Sequence, residues 1–148
     1  MTVKRVQQLM TSVAAAIQAT EADEARCCGL TRSQCRMLCE VARRGELSSL
    51  TDLSGGLGLD LSTVSRVVDG LVREGLMVRR PDREDRRKIR LSLTAAGREL
   101  VDSYEYGLSS HVGAIWEQIA PSDREIVLRS LSIIATAQQK CREGCCNE

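Results

Sequence analysis

Seven cysteines stand in this chain of 148 residues, and their spacing is the first feature that could do chemistry. Cys27 and Cys28 are adjacent, Cys35 and Cys39 lie four apart, and Cys141, Cys145 and Cys146 form Cys-x3-Cys-Cys near the C-terminus. Thiolates are soft ligands that select thiophilic ions over magnesium or calcium. Trivalent arsenic or antimony takes three thiolates in a pyramid, zinc or cadmium takes four ligands in a tetrahedron, and a [4Fe–4S] cluster takes four cysteines. The lone His111 makes a mixed Cys/His zinc site the weaker choice, and the spacing matches neither a zinc ribbon nor a ferredoxin run. Cys35 and Cys39 share a helical face with Leu38 and Ala42, so they read first as small core residues. Cys27, Cys28, Cys141, Cys145 and Cys146 read as a polar loop and an exposed tail, where packing does not require thiols and oxidation is a liability. These five are the candidate ligands for arsenite, antimonite or a soft metal ion, with Cys35 and Cys39 as weaker ones and an iron–sulfur cluster as the alternative. Oxidation of a low-pKa thiolate and condensation to a disulfide is a second use for the same pattern.

A second constellation is basic. The net charge of +1 conceals a gradient: residues 1–58 carry +1, residues 59–98 carry +4 and residues 99–148 carry −4. The densest stretch, 79–90, holds Arg79, Arg80, Arg83, Arg86, Arg87, Lys88 and Arg90 against Asp82, Glu84 and Asp85. Such a run is often only a solvated surface, so its meaning depends on what holds it.

Residues 3–22 place Val6, Leu9, Met10, Val13 and Ile17 on one helical stripe. Thr31 with Gln34 fits a capping box that opens a helix with Cys35, Leu38, Val41 and Ala42 inward, ending near Gly45. Ser48 or Ser49 caps a short third helix, which Gly58 ends. Asp60 or Ser62 caps a fourth, with Val64, Val67, Val68 and Leu71 inward and Gly75 as its stop. The period then changes to two. Residues 76–80 and 88–93 read as strands, with Ile89, Leu91 and Leu93 on one face, and the charged segment 81–87 joins them as a hairpin. Thr94 caps a helix of about seven turns that Pro121 breaks. Ser122 with Glu125 suggests a second capping box, and the final helix is expected to run to about Lys140.

Three short helices followed by a charged hairpin describe a winged helix-turn-helix. A helix pinned by its apolar side offers its other side to the DNA major groove. On the fourth helix that side carries Ser62, Thr63, Ser65, Arg66, Asp69 and Arg73. The hairpin tip, with Asp82, Arg83, Asp85, Arg86 and Arg87, would lie beside the backbone or enter the minor groove, where Arg is favoured. The long apolar faces of 3–19, 98–119 and 123–137 have little to cover them in one chain, and burial against a second copy would explain them.

Leu61-Ser62-Thr63-Val64-Ser65-Arg66-Val67-Val68-Asp69-Gly70-Leu71, then Gly75-Leu76-Met77-Val78-Arg79-Arg80, the wing pattern Asp82-Arg83-Glu84-Asp85-Arg86-Arg87 and Leu93-Thr94-Ala95-Ala96-Gly97 resemble the MarR family of bacterial transcriptional regulators. The resemblance implies a homodimer with interleaved terminal helices. It implies two wings straddling a pseudo-palindromic operator in double-stranded DNA, and release by an inducer, usually with derepression. It also implies that a wing Asp and Arg orient each other, a role that Asp85 and Arg86 or Arg87 match. The family's commoner inducer is a small aromatic acid, for which this chain's three aromatic residues give little stacking surface.

The expected architecture is therefore mainly α with a small β-hairpin wing: residues 1–30 as an N-terminal dimerisation helix with the Cys27-Cys28 loop, 31–98 as the winged helix-turn-helix, and 99–148 as C-terminal dimerisation helices with a Cys-rich tail. The expected function is a repressor released by a thiol-reactive signal, with redox sensing, a small aromatic ligand or a protein-interaction domain as alternatives. No stretch approaches the roughly 18 to 20 apolar residues of a membrane helix, and the N-terminus lacks a signal-peptide core, so a cytoplasmic protein without a membrane partner is expected. An enzyme is not: the only base for a Cys nucleophile is His111, and no Gly-rich phosphate loop is present.

Overall fold

The computed structural model describes residues 2–45, 49–82 and 84–145, with side chains to residue 141. The order is α1 (Val3–Cys27), α2 (Arg32–Arg44), α3 (Leu50–Leu57), α4 (Leu61–Arg73), β1 (Met77–Pro81), β2 (Ile89–Leu93), α5 (Ala95–Gln118), a 3-10 turn (Pro121–Asp123) and α6 (Arg124–Cys145). The chain is mainly α with one antiparallel hairpin. It divides into two compact units, Met1–Ser109 and Ser110–Glu148.

In the first unit the helices begin where the sequence provides a cap. Thr31 Oγ1 accepts the Gln34 N–H while the Gln34 side chain accepts the Thr31 N–H. Ser49 and Asp52 make the same reciprocal pair on α3. Asp60 accepts the Thr63 N–H on α4. A cap of this kind stabilises a helix by about 1 kcal/mol, which matters most for α3, at eight residues. Gly58 ends α3 at φ 64°, ψ 34°, a left-handed position that glycine adopts without Cβ strain.

The core lies beneath α2, α3, α4 and the hairpin. Met37, Leu38, Val41, Leu53, Val64, Val68, Leu71, Met77 and Leu91 are all buried, each contributing about 1.5–3 kcal/mol as an upper estimate. Val101 and Tyr104 bring the first half of α5 onto the same core. In the hairpin, Met77 pairs with Leu93, Arg79 with Leu91 and Arg80 with Arg90.

The hairpin is fastened to α5 at one junction. The Thr94 N–H donates to the Leu76 carbonyl at 3.1 Å, and the Thr94 hydroxyl donates to the Gly75 carbonyl at 2.7 Å. That hydroxyl oxygen also accepts the Gly97 N–H at 3.1 Å. Gly97 is buried so closely that a Cβ would lie 2.1 Å from the Leu76 carbonyl oxygen.

Several boundaries differ from expectation. α1 runs through Cys27 and Cys28 is its C-cap, so the adjacent cysteines end a helix and do not form a loop. Of the two expected caps of α4, Asp60 is the one used and Ser62 lies inside the helix. Ile89 is exposed although Leu91 on the same strand is buried, because the hairpin outruns the core at its tip. Ser122 caps nothing: its hydroxyl meets Asp123, and the chain enters α6 through a 3-10 turn that starts at Pro121. α6 extends to Cys145. In the second unit Arg124 stacks over Trp116 at 5.5 Å and donates to the Ile119 carbonyl.

Gly97→Ala is expected to destabilise the protein by about 2 kcal/mol or more, because the opposing atom is backbone. Gly70→Ala, in open space inside α4, is expected to stabilise by up to about 1 kcal/mol. Chemical denaturation of both variants checks the contrast.

Candidate nucleic-acid interface and thiol cluster

The candidate reading face is built on α4. Its inward side, Val64, Val68 and Leu71, is anchored in the core, which turns Ser62, Thr63, Ser65, Arg66, Asp69 and Arg73 away from it. Asp60 organises the first turn: the hydroxyls of Ser62 and Thr63 both donate to its carboxylate. Those two bonds, with the Thr63 N–H, hold the Asp60 carboxyl well below the usual carboxylate range. Arg66 leans on the Thr63 hydroxyl at 3.4 Å, and Arg73 donates to the Asp69 carbonyl.

Two contacts fix this helix relative to its neighbours. Gln34 of α2 reaches Glu74 at the end of α4 at 3.3 Å. Arg79 of β1 forms an ion pair with Asp69 at 2.6 Å, so the one acid on the outer face of α4 is matched by a cation from the wing.

The wing is shaped by Asp82. Its carboxylate accepts the N–H groups of Glu84 and Asp85 at 2.7 and 3.0 Å and pairs with the Arg90 guanidinium. At 8% exposure it is the buried acid among the described residues. The Arg90 bond, then the two N–H donors, bring its pKa down to about 2. The pairing also offsets a cost, since Arg80 and Arg90 face each other across the strands and like charges there repel. Asp85 accepts the Arg87 N–H at 3.1 Å and lies 3.9 Å from Lys88. It thus orients the Arg87 backbone, whereas the resemblance implied a side-chain pair. The side chains of Arg80, Arg86 and Arg87 are exposed and make no ion pair among the described residues. Arg83 lies outside the described residues.

The cysteines sort differently from their sequence grouping. Cys35, 2% exposed, is in the core, and Cys28 and Cys39 are half-buried against it. Cys28 and Cys39 both act on the Cys35 thiol, and Cys28 acts on that of Cys39. Burial above all, then Cys28 and Cys39, pushes the Cys35 thiol up to about 12. Burial and then Glu105 push Cys39 to about 11. Cys27 and Cys141 are exposed. The Cys145 side chain and Cys146 lie outside the described residues. No three His, Cys, Asp or Glu side chains among the described residues are already arranged around a metal position.

Between α1, α2, α3 and α5 lies a cavity of about 360 Å³, lined by Glu21, Arg36, Cys39, Leu57 and Tyr104 among others. Tyr104 is 3% exposed and its hydroxyl has no hydrogen-bond partner. Burial pushes that phenol up to about 12. Asp60, Arg79 and Tyr104 were not marked as site residues by sequence. The hydroxyls two and three places after Asp60 were a usable signal for the first; the other two act through contacts distant in sequence.

A capped three-helix core carrying a charged hairpin is a winged helix-turn-helix. Residues 30–89 match the model of the MarR family. It is 29% identical over 83 residues to the HTH-type transcriptional repressor YetL of Bacillus subtilis, a match covering 56% of this chain and 50% of that one; the chain thus spans about half the length of this curated relative. RV1404 from Mycobacterium tuberculosis superimposes with a TM-score of 0.80 at 27% identity, covering 93% of this chain and 94% of the other. CouR from Rhodococcus jostii RHA1, solved bound to p-coumaroyl-CoA, gives a TM-score of 0.73 at 25% identity, covering 88% and 91%. No helix among the described residues is long and apolar enough to cross a membrane.

The thiols give a pH signature with a definite sign. A thiol whose pKa is higher in the folded than in the unfolded chain stabilises the fold below the unfolded value. That contribution is lost as pH rises towards the folded value. With Cys35 and Cys39 raised from 9.0 to about 12 and about 11, stability is expected to fall from pH 9 upward. Cys35→Ala is expected to flatten part of that fall in denaturation curves taken at successive pH values.

Proposed function

We propose that this chain is a DNA-binding transcriptional regulator, a repressor, that holds a pseudo-palindromic double-stranded operator as a homodimer. The observation that carries this is the pairing of a reading helix with a cationic wing. α4 is anchored by its apolar side and joined to β1 through Arg79–Asp69, while Arg86 and Arg87 at the hairpin tip are exposed with no ion-pair partner among the described residues. Unpaired guanidinium groups on a rigid hairpin suit phosphates or a narrow minor groove. The repressor name of YetL accords with the same reading.

The dimer is supported by apolar side chains without cover. On α1, Val6, Leu9, Val13 and Ile17 are exposed, and in the second unit Val112, Ile115, Ile126, Leu131 and Ile133 are exposed. Their number exceeds what a monomer ordinarily leaves in water, and a second copy of the same helices is the self-complementary cover.

The signal that releases DNA is proposed to act on thiols. The second reading is a small-molecule inducer in the cavity that Tyr104 lines, as the ligand bound in CouR suggests.

Fluorescence anisotropy with DNA from the chain's own upstream region, over a series of salt concentrations, tests the reading. Affinity is expected to fall steeply as salt rises. Arg86→Ala with Arg87→Ala is expected to weaken binding about tenfold or more on specific and unrelated DNA alike, and to lower the salt slope by about 1–2. Undiminished binding by that variant removes the wing from the interface.

A further inference from the structure

We infer that Asp60, acting through the Thr63 hydroxyl, is a specificity-determining residue: it aims Arg66 at the edge of one guanine in the operator. The inference rests on the regulator reading above and deepens it. It divides the arginines of the interface into one that specifies sequence and others that supply affinity.

Three observations converge on this side chain. First, Arg66 is the last link in a chain of hydrogen bonds. The Asp60 carboxylate accepts the Thr63 N–H at 2.8 Å and the Thr63 hydroxyl at 2.6 Å. A hydroxyl has one hydrogen, and with that hydrogen spent on Asp60 it can only accept. Arg66 donates to it at 3.4 Å. Second, the other groups that could hold Arg66 are occupied. Asp69 lies three residues on, within reach along a helix, but it pairs with Arg79 of β1 at 2.6 Å. Arg73 donates back to the Asp69 carbonyl. Among the described residues Arg66 is exposed and has no carboxylate partner. Third, the space beside it is open. Thr63 and Arg66 border a cavity of about 380 Å³ between α2 and α4, with Val67 and Gly70 in its wall. Without the Thr63 bond the guanidinium has room to turn into that space.

The direction of a guanidinium matters for a base more than for a phosphate. A phosphate is met by charge in many orientations and carries no sequence information. Guanine requires two N–H groups opposite O6 and N7 in the major groove at once. A side chain aimed before binding loses less rotamer freedom in making that pair. Arg86 and Arg87 on the wing make no ion pair among the described residues, and they suit phosphates or the minor groove. Asp60 therefore acts on discrimination between bases, and the wing arginines on affinity for all DNA. The role of Asp60 in aiming is separable from its role as a cap. Asn caps a helix about as well as Asp, so in Asp60→Asn the amide oxygen still serves the Thr63 N–H. The amide NH2 takes the place of the second carboxylate oxygen and donates to the Thr63 hydroxyl. That turns the hydroxyl hydrogen outward and sets a donor against the donor of Arg66.

The test uses the whole chain and DNA from its own upstream region, with the bound segment located by footprinting. Competition against every single-base-pair substitution of that segment gives the base preference at each position. Arg66→Ala is expected to erase a guanine preference of about tenfold or more at one position of each half-site, and to spare the preferences elsewhere. Asp60→Asn and Thr63→Val are each expected to lower the preference at that same position about three- to tenfold. Thr63→Ser, which keeps the hydroxyl, is expected to restore it. Circular dichroism and thermal melts check that each variant folds. Equal loss at every position from Arg66→Ala, or a guanine preference unchanged by both Asp60→Asn and Thr63→Val, overturns the inference and leaves the regulator reading standing. Failure of the unaltered chain to bind any DNA overturns both.

Discussion

The direction of the hairpin, on which the proposed contact of the wing with DNA depends, rests on the few bonds where β2 turns into α5. Thr94 holds the Leu76 carbonyl with its N–H and the Gly75 carbonyl with its hydroxyl, while the same oxygen caps α5 through Gly97. One residue thus joins the end of the reading helix, the base of the hairpin and the start of the long helix. Gly97 is required because α5 passes against the Leu76 carbonyl too closely for any side chain. A movement of α5 therefore reaches the hairpin without passing through a flexible link.

Electrostatics near the interface are managed by three acids, each matched to different donors. Asp60 takes hydroxyls and a backbone N–H, Asp69 takes Arg79, and Asp82 takes Arg90 with two backbone N–H groups. Such pairs contribute modestly where they are exposed. Their larger effect is positional: they use up negative charge that would repel phosphate while leaving Arg86 and Arg87 unpaired.

Much of this was legible in sequence because it is local. Caps at Thr31 and Asp60, the change of period after Gly75 and the Leu-Thr-x-x-Gly turn at 93–97 depend on neighbours within a few residues, and they gave the winged helix directly. The inward face of α4 followed from the same periodicity. The thiols were harder. The core place of Cys35 followed from its helical face, but sequence proximity grouped Cys28 with Cys27 in a polar loop, whereas α1 runs through Cys27 and packs its C-cap Cys28 against the core. Arg90 and Tyr104 were illegible for the same reason, and Asp82, expected to meet DNA, is instead buried and spent on Arg90 and the backbone of the wing. Their roles come from contacts across a hairpin or between helices, which no spacing rule encodes.

The first turn of α4 has a consequence for which bases suit it. Ser62 and Thr63 both direct their hydroxyl hydrogens to Asp60, so they face outward as acceptors only. In the major groove an acceptor complements an exocyclic amino group, N4 of cytosine or N6 of adenine, and is mismatched to the oxygen of guanine or thymine. A phosphate oxygen, which needs a donor, is likewise refused there. On the proposed regulator reading, the polarity of two small hydroxyls, set by one carboxylate behind them, would suit this turn to base edges and leave the DNA backbone to the arginines of the wing.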